Sequence, residues 1–416
     1  MTTGLHTIHS WRPLLAALLV LAASLAIVVP FQAVIGPGAS TPPGAGWDEG
    51  LPVEQWAEIR QVSGTAPYFR WTHSGAVHAA SRDSLVLFGA DSHLLSFDNS
   101  VYELRLKDLS WRRHQPPSPP WAMRTDRAGR RIAGIQQIQP WPTHIYDAML
   151  YDPVADVVRV FAGDKHSFIP APGAQFDPHW EYSLGDQRWR MAPEVEGGLP
   201  NFFAAGVTYD PARDTILGYA SLAEATPFLP LAGEDEAGRT GVWELGAGRD
   251  QWRPASAEVH HWGWFNAEFD VAHGVMLVFG GSPGPGTVWA YTPGGEQASG
   301  GTWQRREPAG DDCPGGVYFP AAYDPSRRVT LIIPPARDGS RSLTCLYDYG
   351  LDRYTRLAGG DLPPLGLNYT LVYSPEMDVF VLLSGSFFEG EPLRIWALRL
   401  DPGRRMGSQP PLAGHW

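Results

Sequence analysis

The sequence predicts an all-β fold in which one four-stranded sheet is repeated six times around an axis, and three observations carry that prediction. First, a hairpin of apolar strand, tight turn and second apolar strand recurs. It reads YDAMLYDPVADVVRVFAG at 146–163, AAGVTYDPARDTILGYA at 204–220 and FPAAYDPSRRVTLII at 319–333. Second, a short strand of the type VWEL follows each hairpin. Third, 46 glycines, 39 prolines and 17 tryptophans in 416 residues are too rich in turns for a helical protein and suit many short strands.

Each unit reads as strand A, a tight turn, strand B ending in small residues, a variable loop, strand C, and strand D opening near an aromatic residue. Strand C recurs at 101–104, 180–182, 242–245, 288–291, 346–349 and 395–398. Strand D is announced by Trp111, Trp189, Trp252, Trp303 and Tyr354, one copy too few. The tail after Leu400 has no strand-like aromatic segment, whereas QWAEI at 55–59 reads as a strand D without a blade. The expectation is that it closes the last blade, so that no sheet edge of the ring is left open. A single four-stranded sheet cannot bury both faces alone; repetition around an axis buries each against its neighbours.

Strand B endings VLFGA (86–90), RVFAG (159–163) and LVFGG (277–281), each followed by strand C and a tryptophan, resemble the kelch family of β-propellers, including the central domain of galactose oxidase. The resemblance covers residues 55–400 and implies a six-bladed propeller. The endings of blades 5 and 6, TLIIPP and VLLSGS, depart from the pattern. The copper-radical site of galactose oxidase is not implied, because it needs a tyrosine beside a ligand histidine and the chain has no Tyr-His dipeptide. A sialidase-type Asp box is not matched by SLGDQRW at 183–189.

Residues 13–35 form an uncharged apolar run, about 34 Å long as a helix, enough to cross a bilayer. Arg12 precedes it and no Lys or Arg follows until Arg60, so the bulk of the chain is expected outside the cytoplasm, on the periplasmic or cell-surface side. Ser24-Leu25-Ala26 is a passable cleavage site, but the apolar run continues beyond it, which favours a signal anchor over a removed signal peptide. The expected organisation is a stub and anchor at 1–35, a Pro/Gly-rich linker at 36–54, the propeller at 55–400 and a tail at 401–416.

In such a blade the D-to-A and B-to-C connections emerge on one face and the A-to-B and C-to-D turns on the other. The long segments, 112–142, 164–179 and 221–241, all belong to the first face and adjoin one another at blades 1 to 3. Long loops on a rigid scaffold are where binding concentrates. The 112–142 insert carries Arg124, Arg127, Arg130 and Arg131 with Trp121 and Trp141, opposite acidic residues in the blade 3 loop; the two loops either pair with each other or present an arginine-and-tryptophan surface. His144, His166, His260 and His261, with Trp262, share that rim. No histidine pair has the spacing of a metal-ligand motif, and no metal, cofactor or catalytic residue is assigned.

The net charge of −12, with only two lysines, Lys107 and Lys165, excludes a phosphate-binding surface and hence nucleic acid as a partner. The expected function is protein binding or assembly with a partner of the same membrane or envelope. Glycan binding or a carbohydrate-active enzyme is the alternative. Finally, the only cysteines, Cys313 and Cys345, fall on one face of blade 5 in a chain expected to meet oxidising conditions, and a disulfide is predicted between them.

Overall fold

A computed structural model describes residues 46–89, 98–135, 138–161, 178–192, 202, 204–220, 240–248, 251–281, 287–295, 300–386 and 390–403. They lie in the larger of two compact units, Thr41–Trp416; the other is Met1–Ser40. The expected anchor at 13–35 lies outside the described residues. No helix among those described is long and apolar enough to cross a membrane.

Among the described residues, six sheets with antiparallel four-stranded cores each make one blade, and a separate two-stranded hairpin lies in the insert between blades 1 and 2. Strands A to D are Gly75–Ala79, Ser84–Phe88, Tyr102–Arg105 and Ser110–Arg113 in blade 1; Met149–Asp152, Val157–Val160, Trp180–Ser183 and Arg188–Met191 in blade 2; and Gly206–Asp210, Thr215–Ala220, Gly241–Leu245 and Trp252–Ser256 in blade 3. Blade 4 has Phe265–Asp270, Val275–Gly280, Val288–Thr292 and Thr302–Arg306, and blade 5 has Ala321–Asp324, Val329–Ile332, Cys345–Asp348 and Arg353–Arg356. Blade 6 takes Leu371–Ser374, Val379–Ser384 and Arg394–Leu398 from the end of the chain and its strand D, Ala57–Ile59, from the beginning. The register there is Ala57 opposite Ala397 and Ile59 opposite Ile395. The chain is a six-bladed β-propeller closed by its amino-terminal strand.

The closing strand does more than pair. Trp56, just ahead of it, donates from Nε1 to Thr344 Oγ1 of blade 5 at 2.8 Å. Residues 46–54, expected as the end of a linker, lie along the ring: Trp47 Nε1 donates to Leu106 O at 2.7 Å, and Arg399 Nη2 bonds Asp48 Oδ2 at 2.5 Å. Closure also creates a shared core, in which Leu85, Leu87 and Leu104 of blade 1 pack with Val379, Val381 and Ile395 of blade 6.

The recurring strand D tryptophan has a packing role. Trp189 lies 4.9 Å from Phe88, Trp252 5.5 Å from Phe161, and Trp303 4.9 Å from Tyr219, ring centroid to centroid. In each case a large aromatic on the outer strand covers strand B, or its end, in the preceding blade. Inner strands such as Ser84–Phe88 and Val379–Ser384 are buried along their whole length because sheets press on both of their faces. That is why they read as continuous rather than alternating apolar runs.

The A-to-B turns explain the Tyr-Asp-Pro signature. The Asp at the end of strand A accepts from two backbone N–H groups of the turn: Asp152 from Val154 and Ala155, Asp210 from Ala212 and Arg213, Asp324 from Ser326 and Arg327. The last turn residue is left-handed, with φ of 51° at Asp156, 47° at Asp214 and 54° at Asp378, a conformation that Asp tolerates well. The tyrosine hydroxyl then locks it: Tyr151, Tyr209 and Tyr373 donate to Asp156, Asp214 and Asp378 at 2.8, 2.9 and 2.8 Å.

Two short outer strands were not expected. Ser63–Gly64 pairs in parallel with strand D of blade 1, and Ala309–Gly310 with strand D of blade 5. Both use a glycine at positive φ, where a Cβ would stand 1.9 Å from Trp111 O or 2.2 Å from Tyr354 O. The predicted disulfide is present: Cys313 and Cys345 are bonded, with Cα atoms 6.3 Å apart.

Candidate functional site

On the long-loop face the ring narrows to a collar. The residue six positions ahead of the last residue of strand A is His73, Tyr146, Ala204, Trp264, Tyr318 and Asn368 in blades 1 to 6. Backbone hydrogen bonds join these positions from blade to blade: Tyr146 N to His73 O at 3.2 Å, Trp264 N to Ala204 O at 2.6 Å, Tyr318 N to Trp264 O at 3.4 Å, and Asn368 N to Tyr318 O at 2.9 Å. The buried Arg70 guanidinium ties blade 1 to blade 6 through Leu367 O at 2.9 Å. Four collar residues are left-handed, with φ of 52° at Tyr146, 53° at Ala204, 59° at Trp264 and 65° at Tyr318. Such a conformation costs a bulky residue about 1 kcal/mol or more, here offset by the blade-to-blade hydrogen bonds.

The collar side chains are mostly aromatic. Tyr146 meets Tyr369 edge to face at 5.6 Å, and Trp264 lies 5.7 Å from Tyr318. His73 stacks on His144 at 3.9 Å, and both rings stand edge-on to Tyr146. Behind the collar, Asp147 stands near Glu268. Asp147 Oδ2 accepts from Ala267 N at 2.7 Å, reaching from blade 2 past blade 3 to blade 4. Gly206 permits this reach, because a Cβ there would sit 2.8 Å from that oxygen and 2.7 Å from Ala267 Cβ. Burial pushes the Glu268 carboxyl up to about 8. Burial, with Glu268 as a like-charged neighbour, holds Asp147 well above the usual carboxylate range.

Beside the collar, the insert between blades 1 and 2 folds into a knob with its own small core of Met123, Ala133 and Trp141. A 3-10 turn at Pro120–Ala122 leads into a hairpin of Arg124–Thr125 and Arg131–Ile132. The expected arginine surface is divided by this fold. Arg124 Nη1 donates to Ala122 O and Gly134 O at 3.0 and 2.7 Å; Arg130 Nε bonds Asp126 Oδ2 at 2.7 Å. Arg131 is buried, its guanidinium 5.5 Å from the Trp141 ring centroid. Arg127 is exposed. So is Trp121, at 74%, with Ile135 at 64%.

The expected rim histidines separate likewise. His144 and His261 are buried, and burial lowers His261 to about 3, so it stays neutral at physiological pH. His260 stacks flat on Trp289 at 3.6 Å. Trp262 is half-exposed on the same face. His166 and the blade 3 loop opposite the insert lie outside the described residues. No group of three metal-ligating side chains exists among those described. A polar cleft of about 300 Å³ beside the disulfide, at blades 4 and 5, is lined by Arg305, Glu307, Asp312, Arg337 and Cys313. Its charges are paired, Arg337 with Asp312 at 2.8 Å and Arg305 with Glu307 at 3.3 Å.

No family model matches the chain, and no curated protein matches it in sequence. Solved structures do match, among them an X-ray structure described as a candidate gluconolactonase. It is 10% identical, with a TM-score of 0.46, over 83% of this chain and 94% of that one. That likeness carries no argument about activity; the class rests on the six sheets and their closure.

Proposed function

We propose that the protein is an exported, membrane-anchored propeller that uses its long-loop face to bind a protein partner of the same membrane or envelope. The observation that supports this reading is the knob. Trp121, in the 3-10 turn before the hairpin, and Ile135, just after it, stand in solvent on a knob with its own core, and Arg127 in the hairpin turn is exposed. Tryptophan and arginine on a rigid support are the residue types that dominate protein interfaces. The kelch-like repeat belongs to this reading, as a scaffold that presents loops.

The test is capture of partners from solubilised membranes by the full-length protein. Trp121→Ala with Arg127→Gln is expected to weaken capture by at least about 30-fold, since truncating an interface tryptophan costs roughly 2 kcal/mol or more. Capture unaffected by both changes refutes the reading. Glycan binding is the second reading, supported by Trp262 as a further exposed flat ring on the same face; retention on immobilised polysaccharide that is lost in Trp262→Ala distinguishes it.

A further inference from the structure

Most buried carboxylates among the described residues have a cationic or polar side-chain partner. Asp152 takes Arg159 Nε at 2.8 Å, Glu103 takes His114 Nε2 at 2.8 Å and Ser84 Oγ at 2.7 Å, Asp270 takes His273 Nδ1 at 2.7 Å, and Asp324 takes Arg327 Nη1 at 2.8 Å. Asp147 and Glu268 have no such partner: Asp147 has the Ala267 N–H and Glu268 as a like-charged neighbour, and Glu268 has the Tyr323 backbone, with no cationic side chain among the described residues acting on either. Both residues keep some accessible surface, although their carboxyl groups are enclosed. A further polar group beside Asp147 is unsatisfied. Tyr369 is 4% exposed, its hydroxyl lies in the field of Asp147, Tyr146 and Tyr318, and it has no hydrogen-bond partner among the described residues. The Tyr318 backbone lies beside that hydroxyl and eases its burial slightly, while the Tyr318 amide also donates to Trp264 O at 3.4 Å.

We propose that the axial chamber behind the collar binds a small organic cation, a protonated amine or alkylammonium group, between the Asp147 and Glu268 carboxylates and the rings of Tyr146, Trp264, Tyr318 and Tyr369. Uncompensated acids supply the charge, and aromatic faces supply the cation–π surface that suits an ammonium better than a hydrated metal ion. Two carboxylates without a third ligating side chain make a poor metal cage. The single positive charge offsets one of the two acids, so binding releases up to one proton to the buffer while the other acid keeps its own.

The test uses the full-length protein, with methylammonium and tetramethylammonium chloride as probes and sodium and calcium chloride as controls. Calorimetry in two buffers of different ionisation heat is expected to show saturable binding of an ammonium probe below about 10 mM, with proton release near pH 7. Glu268→Gln is expected to weaken binding at least about tenfold and to reduce the protons released, while the folded protein is retained. Tyr369→Phe, which keeps the ring, is expected to weaken methylammonium, a hydrogen-bond donor, more than tetramethylammonium. Absence of ammonium binding, tighter binding of calcium, or equal affinity in Glu268→Gln overturns the proposal.

Discussion

Replacing Glu268 by Gln removes an ionisable group while keeping its shape, and the consequence for stability can be worked out with its sign. Burial holds this carboxyl near 8 in the folded protein, against an ordinary value of 4.5. Between those pH values the unfolded chain has lost the proton and the folded chain keeps it. The free energy of unfolding therefore falls as pH rises, by at most about 1.4 kcal/mol per pH unit. The contribution is fully present below 4.5 and is lost as pH climbs through 8. Glu268 keeps some accessible surface, so we expect about half of the maximum, roughly 2 kcal/mol between pH 5 and 8. Urea unfolding followed by tryptophan fluorescence at several pH values checks this. Glu268→Gln should match the parent near pH 5, gain stability over it steadily up to pH 8, and hold a constant advantage above. A difference between the two proteins that does not change with pH refutes the placement of Glu268 in an uncompensated site.

Other perturbations have equally definite outcomes. Arg159→Met leaves Asp152 and Glu181 buried without their shared cation, and should cost about 3–5 kcal/mol in denaturant unfolding. Cys313→Ser with Cys345→Ser opens a loop spanning a sequence separation of 32 and should cost about 3–4 kcal/mol; labelling of the unfolded, unreduced parent should find neither thiol reactive. Deleting residues 50–60 exposes the edge at Arg394–Leu398 and should yield aggregates by light scattering; a monomer with an unchanged melting curve counts against closure by Ala57–Ile59. Gly206→Ala should lower the melting temperature by several degrees, because a new methyl group meets both the Asp147 carboxylate and Ala267.

The blades were legible because their signals are local and repeated. The Tyr-Asp-Pro turn is a self-contained set of hydrogen bonds, and the strand D tryptophan fills the same gap in successive blades. Closure was legible by counting, since five announced D strands left Trp56 and its neighbours without a blade. The collar was hidden for the opposite reason. Its spacing from the end of strand A is constant, but His73, Tyr146, Ala204, Trp264, Tyr318 and Asn368 follow no single residue pattern, because the blade-to-blade contacts there are made by the backbone. In the insert, two of the four arginines take partners inside the fold: Asp126, four residues before Arg130, holds that charge within the hairpin, and Arg131 lies over Trp141, while Arg124 and Arg127 stay exposed. Ser63–Gly64 and Ala309–Gly310 are too short to carry any pattern, and they pair only because the strand beside them already exists.

The register that closes the ring also orders its assembly. Ala57 pairs with Ala397, so the partners of the outermost strand of blade 6 are separated by nearly the whole length of the propeller, while the A–B hairpins close over turns of a few residues. Loop closure of that length is slow relative to hairpin formation, and in a chain made from its amino terminus the first strand waits for the last blade. Until then blade 6 lacks its outer strand, and the apolar core between blades 1 and 6 is open to water. Ring closure is thus the expected late and rate-limiting step, and the interval before it is when the chain most needs protection from its own neighbours.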